Sequence, residues 1–117
     1  MNILIVDDNR SMRKLLQEIV HKIDPMIDVV VASSYEEASL LLKKYKFNGA
    51  LLDLVLIKSS GISVAELCEP YNIPIVFVTS TSDDFNYSLM YKYGWIINKP
   101  ILADAVVRAV TYFKQLG

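Results

Sequence analysis

Five side chains hold most of the reactive chemistry in this sequence: Asp7, Asp8, Asp53, Thr79 and Lys99. Three carboxylates brought to one place repel one another, and without a counter-charge at least one must stay protonated through a raised pKa. A divalent cation removes that conflict. Magnesium suits these donors: it takes hard oxygens in an octahedral shell and is held by one or two carboxylates, a carbonyl and waters, with phosphate oxygen completing the set. Zinc has no ligand set in a chain with one cysteine, Cys68, and one histidine, His21. A cation held in this way binds a phosphoryl group, and Lys99 and Thr79 offer a point charge and a hydroxyl donor for its remaining oxygens. Aspartate can itself be the nucleophile and form an acyl-phosphate, because in-line transfer asks a protein mainly for positioning and charge neutralisation.

Such residues meet only if the chain carries them to one edge of a fold, and each of them ends a short apolar run. Ile3 to Val6 precedes Asp7-Asp8-Asn9, Ala50 to Leu52 precedes Asp53, Ile75 to Val78 precedes Thr79, and Trp95 to Ile97 precedes Asn98-Lys99-Pro100. Val29 to Ala32 is a further run of the same kind. Between the runs the apolar residues step by three and one, as on an amphipathic helix. Met12, Leu15, Leu16, Ile19, Val20 and Ile23 form the first stripe, and Leu102, Ala105, Val106, Ala109, Val110 and Phe113 form the last. Ser34 with Glu37 is a capping-box pair ahead of Ala38, Leu41 and Leu42; Gly61 to Glu69 is a short helix closed by Pro70; Ser82 to Tyr93 is a further helix. Strand and helix alternate five times, which predicts an α/β fold, a (βα)5 doubly wound five-stranded parallel sheet. In such sheets ligands bind beyond the carboxyl ends of the strands, where four of the five runs place a reactive group.

The chain has 117 residues, is 53% hydrophobic and shows no linker or repeat, so a single domain over 1–117 is expected. A net charge of −1 without a Lys/Arg run disfavours direct binding of nucleic acid or an anionic membrane surface. The apolar runs fall far short of the roughly 20 residues that span a bilayer. One cysteine permits no internal disulfide and fits a reducing, cytoplasmic setting, with Cys68 packing as a small apolar group and His21 on a helix surface.

Taken in order, Val6-Asp7-Asp8, Leu52-Asp53-Leu54, Gly61 eight residues beyond Asp53, Thr79-Ser80 and Lys99-Pro100 form a pattern that resembles the receiver domain of two-component response regulators, of the chemotaxis-type single-domain kind. The resemblance covers the whole chain. It implies the flavodoxin-like strand order 2-1-3-4-5 and Asp53 as phosphoacceptor. It implies Mg2+ held by Asp8, Asp53 and the backbone carbonyl of Val55, with Asp7 acting through a bound water. Thr79 and Lys99 would then contact the phosphoryl group, and Lys99-Pro100 would be a site for a cis peptide bond. A histidine kinase or phosphotransfer protein would be the donor, and the domain would catalyse only its own modification. Output would run to an unknown downstream protein through the fourth helix, fifth strand and fifth helix, where Tyr87, Tyr91, Tyr93 and Tyr112 lie. By the same resemblance the kinase would dock near Asn9, Arg10, Met12 and Arg13, although both arginines fit solvated helix charges equally well.

The sequence departs from the family pattern in four places. Ile96 stands where an aromatic is common, and Trp95, one place earlier, must point to the opposite face of its strand. Ile57 replaces a frequent proline, and Val55 and Thr81 occupy positions that often carry polar side chains, which predicts an altered lifetime for the aspartyl-phosphate. Two other functions share parts of this inventory. One is a receiver-shaped interaction module independent of phosphate, and the other is a magnesium-dependent phosphohydrolase. The second requires a general-acid carboxylate two residues beyond Asp53, where this chain has Val55.

Overall fold

A computed structural model of the chain describes residues 1–56, 59–79, 93–98 and 103–116. The β-branched and aliphatic runs form five parallel strands: β1 (Asn2–Val6), β2 (Asp28–Ala32), β3 (Gly49–Asp53), β4 (Ile75–Thr79) and β5 (Gly94–Asn98). They make one sheet in the order β2-β1-β3-β4-β5, the expected 2-1-3-4-5. Every residue of β3 and β4 is buried, as a central parallel strand covered on both faces requires. Burying an Ile or Leu such as Ile3, Leu4 or Leu51 contributes about 1.5–3 kcal/mol. That offsets the roughly 1–2 kcal/mol of backbone entropy each ordered residue costs.

Among the described residues the α-helices are α1 (Arg10–Ile23), α2 (Tyr35–Lys44), α3 (Gly61–Cys68) and α4 (Ala103–Leu116). Leu16 and Val20 of α1 and Val106, Ala109, Val110 and Phe113 of α4 pack with Ile3, Ile5, Leu51, Val76 and Val78 on one face of the sheet. Ala38 and Leu42 of α2 and Val64, Ala65 and Cys68 of α3 pack with Leu4, Val6, Leu52 and Phe77 on the other. Alternation along the strands produces these two layers. The same alternation puts Ile96 against the α2/α3 layer together with Tyr93. It leaves Trp95 exposed on the opposite face, its ring 4.6 Å from that of Tyr112.

The capping pair forms in a modified way. Ser34 Oγ accepts from the Glu37 amide at 3.1 Å, but the Glu37 carboxylate reaches back to Ser33, accepting from its hydroxyl at 2.9 Å, rather than to Ser34. Leu15, placed on the apolar stripe by its spacing, lies at the stripe's edge and is 41% exposed. His21 is half-buried rather than on the surface, with Nε2 donating to the Ile27 carbonyl at 3.2 Å, which ties α1 to the loop entering β2. Cys68 is fully buried as expected, and burial pushes its thiol up to about 12. The helix expected over Ser82 to Tyr93 lies almost wholly outside the described residues. No helix among the described residues is long and apolar enough to cross a membrane.

At the pole opposite the strand ends, Lys114 Nζ of α4 donates to Asp24 Oδ2, at the end of α1, at 2.9 Å. That hydrogen bond, helped by one from the Met26 amide, holds the Asp24 carboxyl below its ordinary 3.8. A carboxyl lowered by folding stabilises fully above the unfolded value, and the contribution is lost as pH falls through the folded value. Wild type and Lys114→Ala are therefore expected to differ slightly in urea midpoint at neutral pH, the more so at low salt. The two should converge once the pH is below the carboxylate range. A difference that persisted in acid would show that Lys114 acts by packing instead.

Candidate functional site

The site begins with strand register. Val6 of β1 pairs with Leu52 of β3, so the residues that follow, Asp7 and Asp53, stand level at the carboxyl edge of adjacent central strands. Asp53 pairs with Val78 of β4, which sets Thr79 one residue further along the neighbouring strand. All three are buried: Asp7 is 1%, Asp53 7% and Thr79 1% exposed. Asp8 is half-buried beside them. Asp7, Asp8 and Asp53 each offer a carboxylate oxygen within 4.8 Å of the others.

The loop carrying Asp7 and Asp8 is tied from several directions. The Asp7 amide continues the β1–β2 ladder by donating to the Ala32 carbonyl at 3.1 Å. The Asn9 amide donates to Asp7 Oδ1 at 2.9 Å, and Asn9 caps α1 by accepting from the Met12 amide at 3.1 Å. Arg13, one turn into α1, donates through Nη1 to the Asp7 carbonyl at 2.8 Å.

Beyond Asp53 a short two-stranded pairing follows. Val55–Leu56 pairs antiparallel with Ser59–Ser60, Val55 opposite Ser60. Ser60 then caps α3, its hydroxyl oxygen accepting from the Ser63 amide at 3.2 Å. The first helical residue, Gly61, donates its amide to the Leu54 carbonyl at 3.0 Å. A Cβ at Gly61 would lie 2.2 Å from the Asp53 carbonyl oxygen. This is the physical reason for a glycine eight residues past the acidic residue: the helix start lies against the end of β3.

The acidic residues fit a magnesium ion. An octahedral shell of radius about 2.0–2.1 Å places its oxygens roughly 3–4 Å apart, which three carboxylates converging within 4.8 Å can reach with little adjustment. All offered side-chain atoms are hard oxygens, and no thiol or imidazole belongs to the group. Of the residues singled out by sequence, the structure brings together Asp7, Asp8 and Asp53 and places Thr79 and Val55 on the segments beside them. Lys99, Pro100, Ile57, Thr81, Tyr87 and Tyr91 lie outside the described residues. Arg13, open in the sequence between a docking residue and a solvated charge, is a structural contact of the acidic loop. Its signal was spacing: helical side chains lean toward the N-terminus, so a long side chain one turn into a helix reaches the loop before it.

A doubly wound sheet of order 2-1-3-4-5 with an acidic pocket at its carboxyl edge defines a class, the receiver-type α/β domain. A family model for the response regulator receiver domain matches residues 3–111. The chain belongs to the response regulator receiver domain family. Among curated relatives, the "Probable transcriptional regulator ycf27" of Porphyridium aerugineum is 35% identical over 82 residues, covering 69% of this chain and 33% of that protein. The "Transcriptional regulatory protein DpiA" of Escherichia coli K12 is 24% identical over 98% of this chain and 53% of its own length. The chain thus spans between a third and about half of these relatives. Among solved structures, a two-component response regulator from Clostridium difficile superposes with a TM-score of 0.84 at 20% identity, covering 98% of this chain and 96% of that one. TrrA from Thermotoga maritima, solved in complex with Mg2+ and BeF, gives 0.83 at 22% identity over 96% and 97%. Identities at this level speak for the fold alone.

Proposed function

We propose that the chain, read as one receiver domain over 1–117, is a phosphoryl-accepting switch of a cytoplasmic two-component or phosphorelay system. Asp53 is the acceptor. The convergence of Asp7, Asp8 and Asp53 within 4.8 Å at the carboxyl edge of the sheet carries this reading. The donor is a phosphohistidine on a histidine kinase or phosphotransfer protein. An Asp53 carboxylate oxygen attacks phosphorus, the P–O bond forms as the P–N bond breaks, and the imidazole leaves and takes up a proton. Asp8, Asp53 and the Val55 carbonyl would hold Mg2+, with Asp7 through a water. When bound, the ion offsets negative charge on the phosphoryl oxygens. Thr79 supplies a hydroxyl donor and Lys99 a fixed positive charge to the same oxygens. The domain modifies itself and does not turn over a substrate.

The modified domain changes its affinity for a downstream protein at the face made by the Ser82–Tyr93 segment, β5 and α4. The Trp95–Tyr112 ring pair lies on that side of the sheet. With Ile96 packed into the α2/α3 layer rather than an aromatic at that place, the movement of Thr79 and the loop after it would carry the signal. Neither nucleic acid nor membrane is a direct partner.

The test is addition of beryllofluoride with Mg2+ to the purified domain, followed by amide NMR. Mg2+-dependent shifts centred on Asp53 and spreading to β5 support the switch. If the folded domain gives none, a phosphate-independent interaction module is the better account. Valine offers an attacking water no polar partner, so the residue at position 55 should also set the lifetime of the aspartyl-phosphate. Val55→Asn is expected to change the hydrolysis rate severalfold in a decay assay, and an unchanged rate would remove Val55 from that role.

A further inference from the structure

The loop bearing two of the three carboxylates is fastened mostly by hydrogen bonds that any sequence with a cap residue can make; one fastening is peculiar to this side chain. Arg13 is half-buried, and its guanidinium reaches six residues back to donate Nη1–H to the Asp7 carbonyl oxygen at 2.8 Å. Its own amide donates to the Asn9 carbonyl at 3.0 Å. The Arg13 side chain therefore grips the Asp7 end of the Asp7-Asp8-Asn9 turn, the Asn9 end being held by a backbone bond that any residue at position 13 would make, while Asn9 bridges the middle to Asp7 Oδ1 and to the Met12 amide. Arg10, on the same helix, is exposed.

We propose that Arg13 is a positioning residue for the acidic site, holding the Asp7–Asn9 turn so that the Asp7 and Asp8 carboxylates face Asp53 before any cation arrives. The proposal rests on the reading of the trio as a magnesium site. Two effects of the guanidinium oppose each other, which makes the role measurable. As a nearby positive charge it repels a cation, so its removal by charge alone would tighten Mg2+ binding. As a tether it preorganises two ligands, so its removal loosens the site and weakens binding. The contact is charge-assisted, short and half-buried, which favours the tether. Charge repulsion from a group already turned to a backbone carbonyl is the smaller effect.

The experiment uses the whole chain as wild type, Arg13→Ala and Arg13→Lys, with two readouts. Amide hydrogen exchange without metal reports the tether itself: Asp8 and Asn9 should exchange about tenfold faster in Arg13→Ala, with the β3 and β4 core amides unchanged. Mg2+ titration by calorimetry reports the consequence. The dissociation constant is expected to rise five- to tenfold in Arg13→Ala and two- to threefold in Arg13→Lys, which keeps the charge and one donor on a shorter reach. Unchanged exchange at Asp8 and Asn9, or Mg2+ binding equal to or tighter than wild type, overturns the proposal. Should Arg13→Ala fail to fold, the Arg13→Lys values decide by the same criteria. A wild type that takes up no Mg2+ defeats the metal reading instead, and the exchange rates at Asp8 and Asn9 then decide the tether by themselves.

Discussion

Asp53→Ala is expected to gain no phosphoryl group from acetyl phosphate and Mg2+ under conditions in which the wild-type chain shows a mass increase of one phosphoryl group by intact-mass spectrometry. The expected effect is complete because the acceptor must satisfy three conditions together. It must be a carboxylate, it must stand at the carboxyl edge of a central strand, and it must lie beside other carboxylates that gather a cation. Asp53 is at that edge, 7% exposed, and within 4.8 Å of two more carboxylates. Asp7 is less accessible to a phosphoryl donor, being 1% exposed with its Oδ1 accepting the Asn9 amide at 2.9 Å. Asp8 sits on the loop that leads into α1 rather than on a strand. The variant should remain folded by circular dichroism, because no apolar packing is removed. Modification of a folded Asp53→Ala chain at Asp7 or Asp8 would move the acceptor, and with it the in-line geometry, to β1.

Gly61→Ala is the second large effect, in which one methyl group should damage stability and function together. The added Cβ would lie 2.2 Å from the Asp53 carbonyl oxygen, 2.9 Å from its carbonyl carbon and 3.0 Å from Leu54 Cα. These are backbone atoms of the strand end and its continuation, so no side-chain rotation relieves the contact. Either α3 withdraws, breaking the hydrogen bond from the Gly61 amide to the Leu54 carbonyl, or the end of β3 moves. Overpacking of this kind costs about 1–3 kcal/mol, on the order of 5–15 °C in Tm for a domain of this size. Displacement of the Asp53 carboxylate, the proposed acceptor, by a fraction of an ångström to an ångström should slow phosphorylation from acetyl phosphate by about 10- to 100-fold. The two readouts separate the alternatives. A lowered Tm with an unchanged rate places the adjustment in α3, whereas normal values of both would show that the contact relaxes without cost.

Much of this was legible in the sequence because it depends on local chemistry. Ile3 to Val6 and Ile75 to Val78 are too short and too β-branched for helices, and these two runs with Ala50 to Leu52 are too apolar for a half-exposed sheet, so they read as buried parallel strands. The stripe from Val106 to Phe113 fixes a helix with one apolar face. A polar residue after each strand then falls at the edge where open α/β sheets bind ligands. The residue types alone pointed to a cluster of hard oxygen donors, and the ordered combination of motifs pointed to the receiver family. Other features depended on contacts between distant segments, which spacing cannot encode. Register between β1 and β3 decides that Asp7 and Asp53 stand level, since a one-residue slip would turn the carboxylate to the other face. The hairpin of Val55–Leu56 with Ser59–Ser60 is only two residues deep and too short to leave a periodic signal. The need for glycine at Gly61 arises from the backbone of β3 lying against the start of α3, and the grip of Arg13 on the Asp7 carbonyl arises from a side chain folding back over its own helix start. Residue chemistry along the chain settles which groups this protein brings to its site. How closely those groups meet, and what holds them there, follows from close packing in three dimensions, where contacts fall off within an ångström and local pattern carries no record of them.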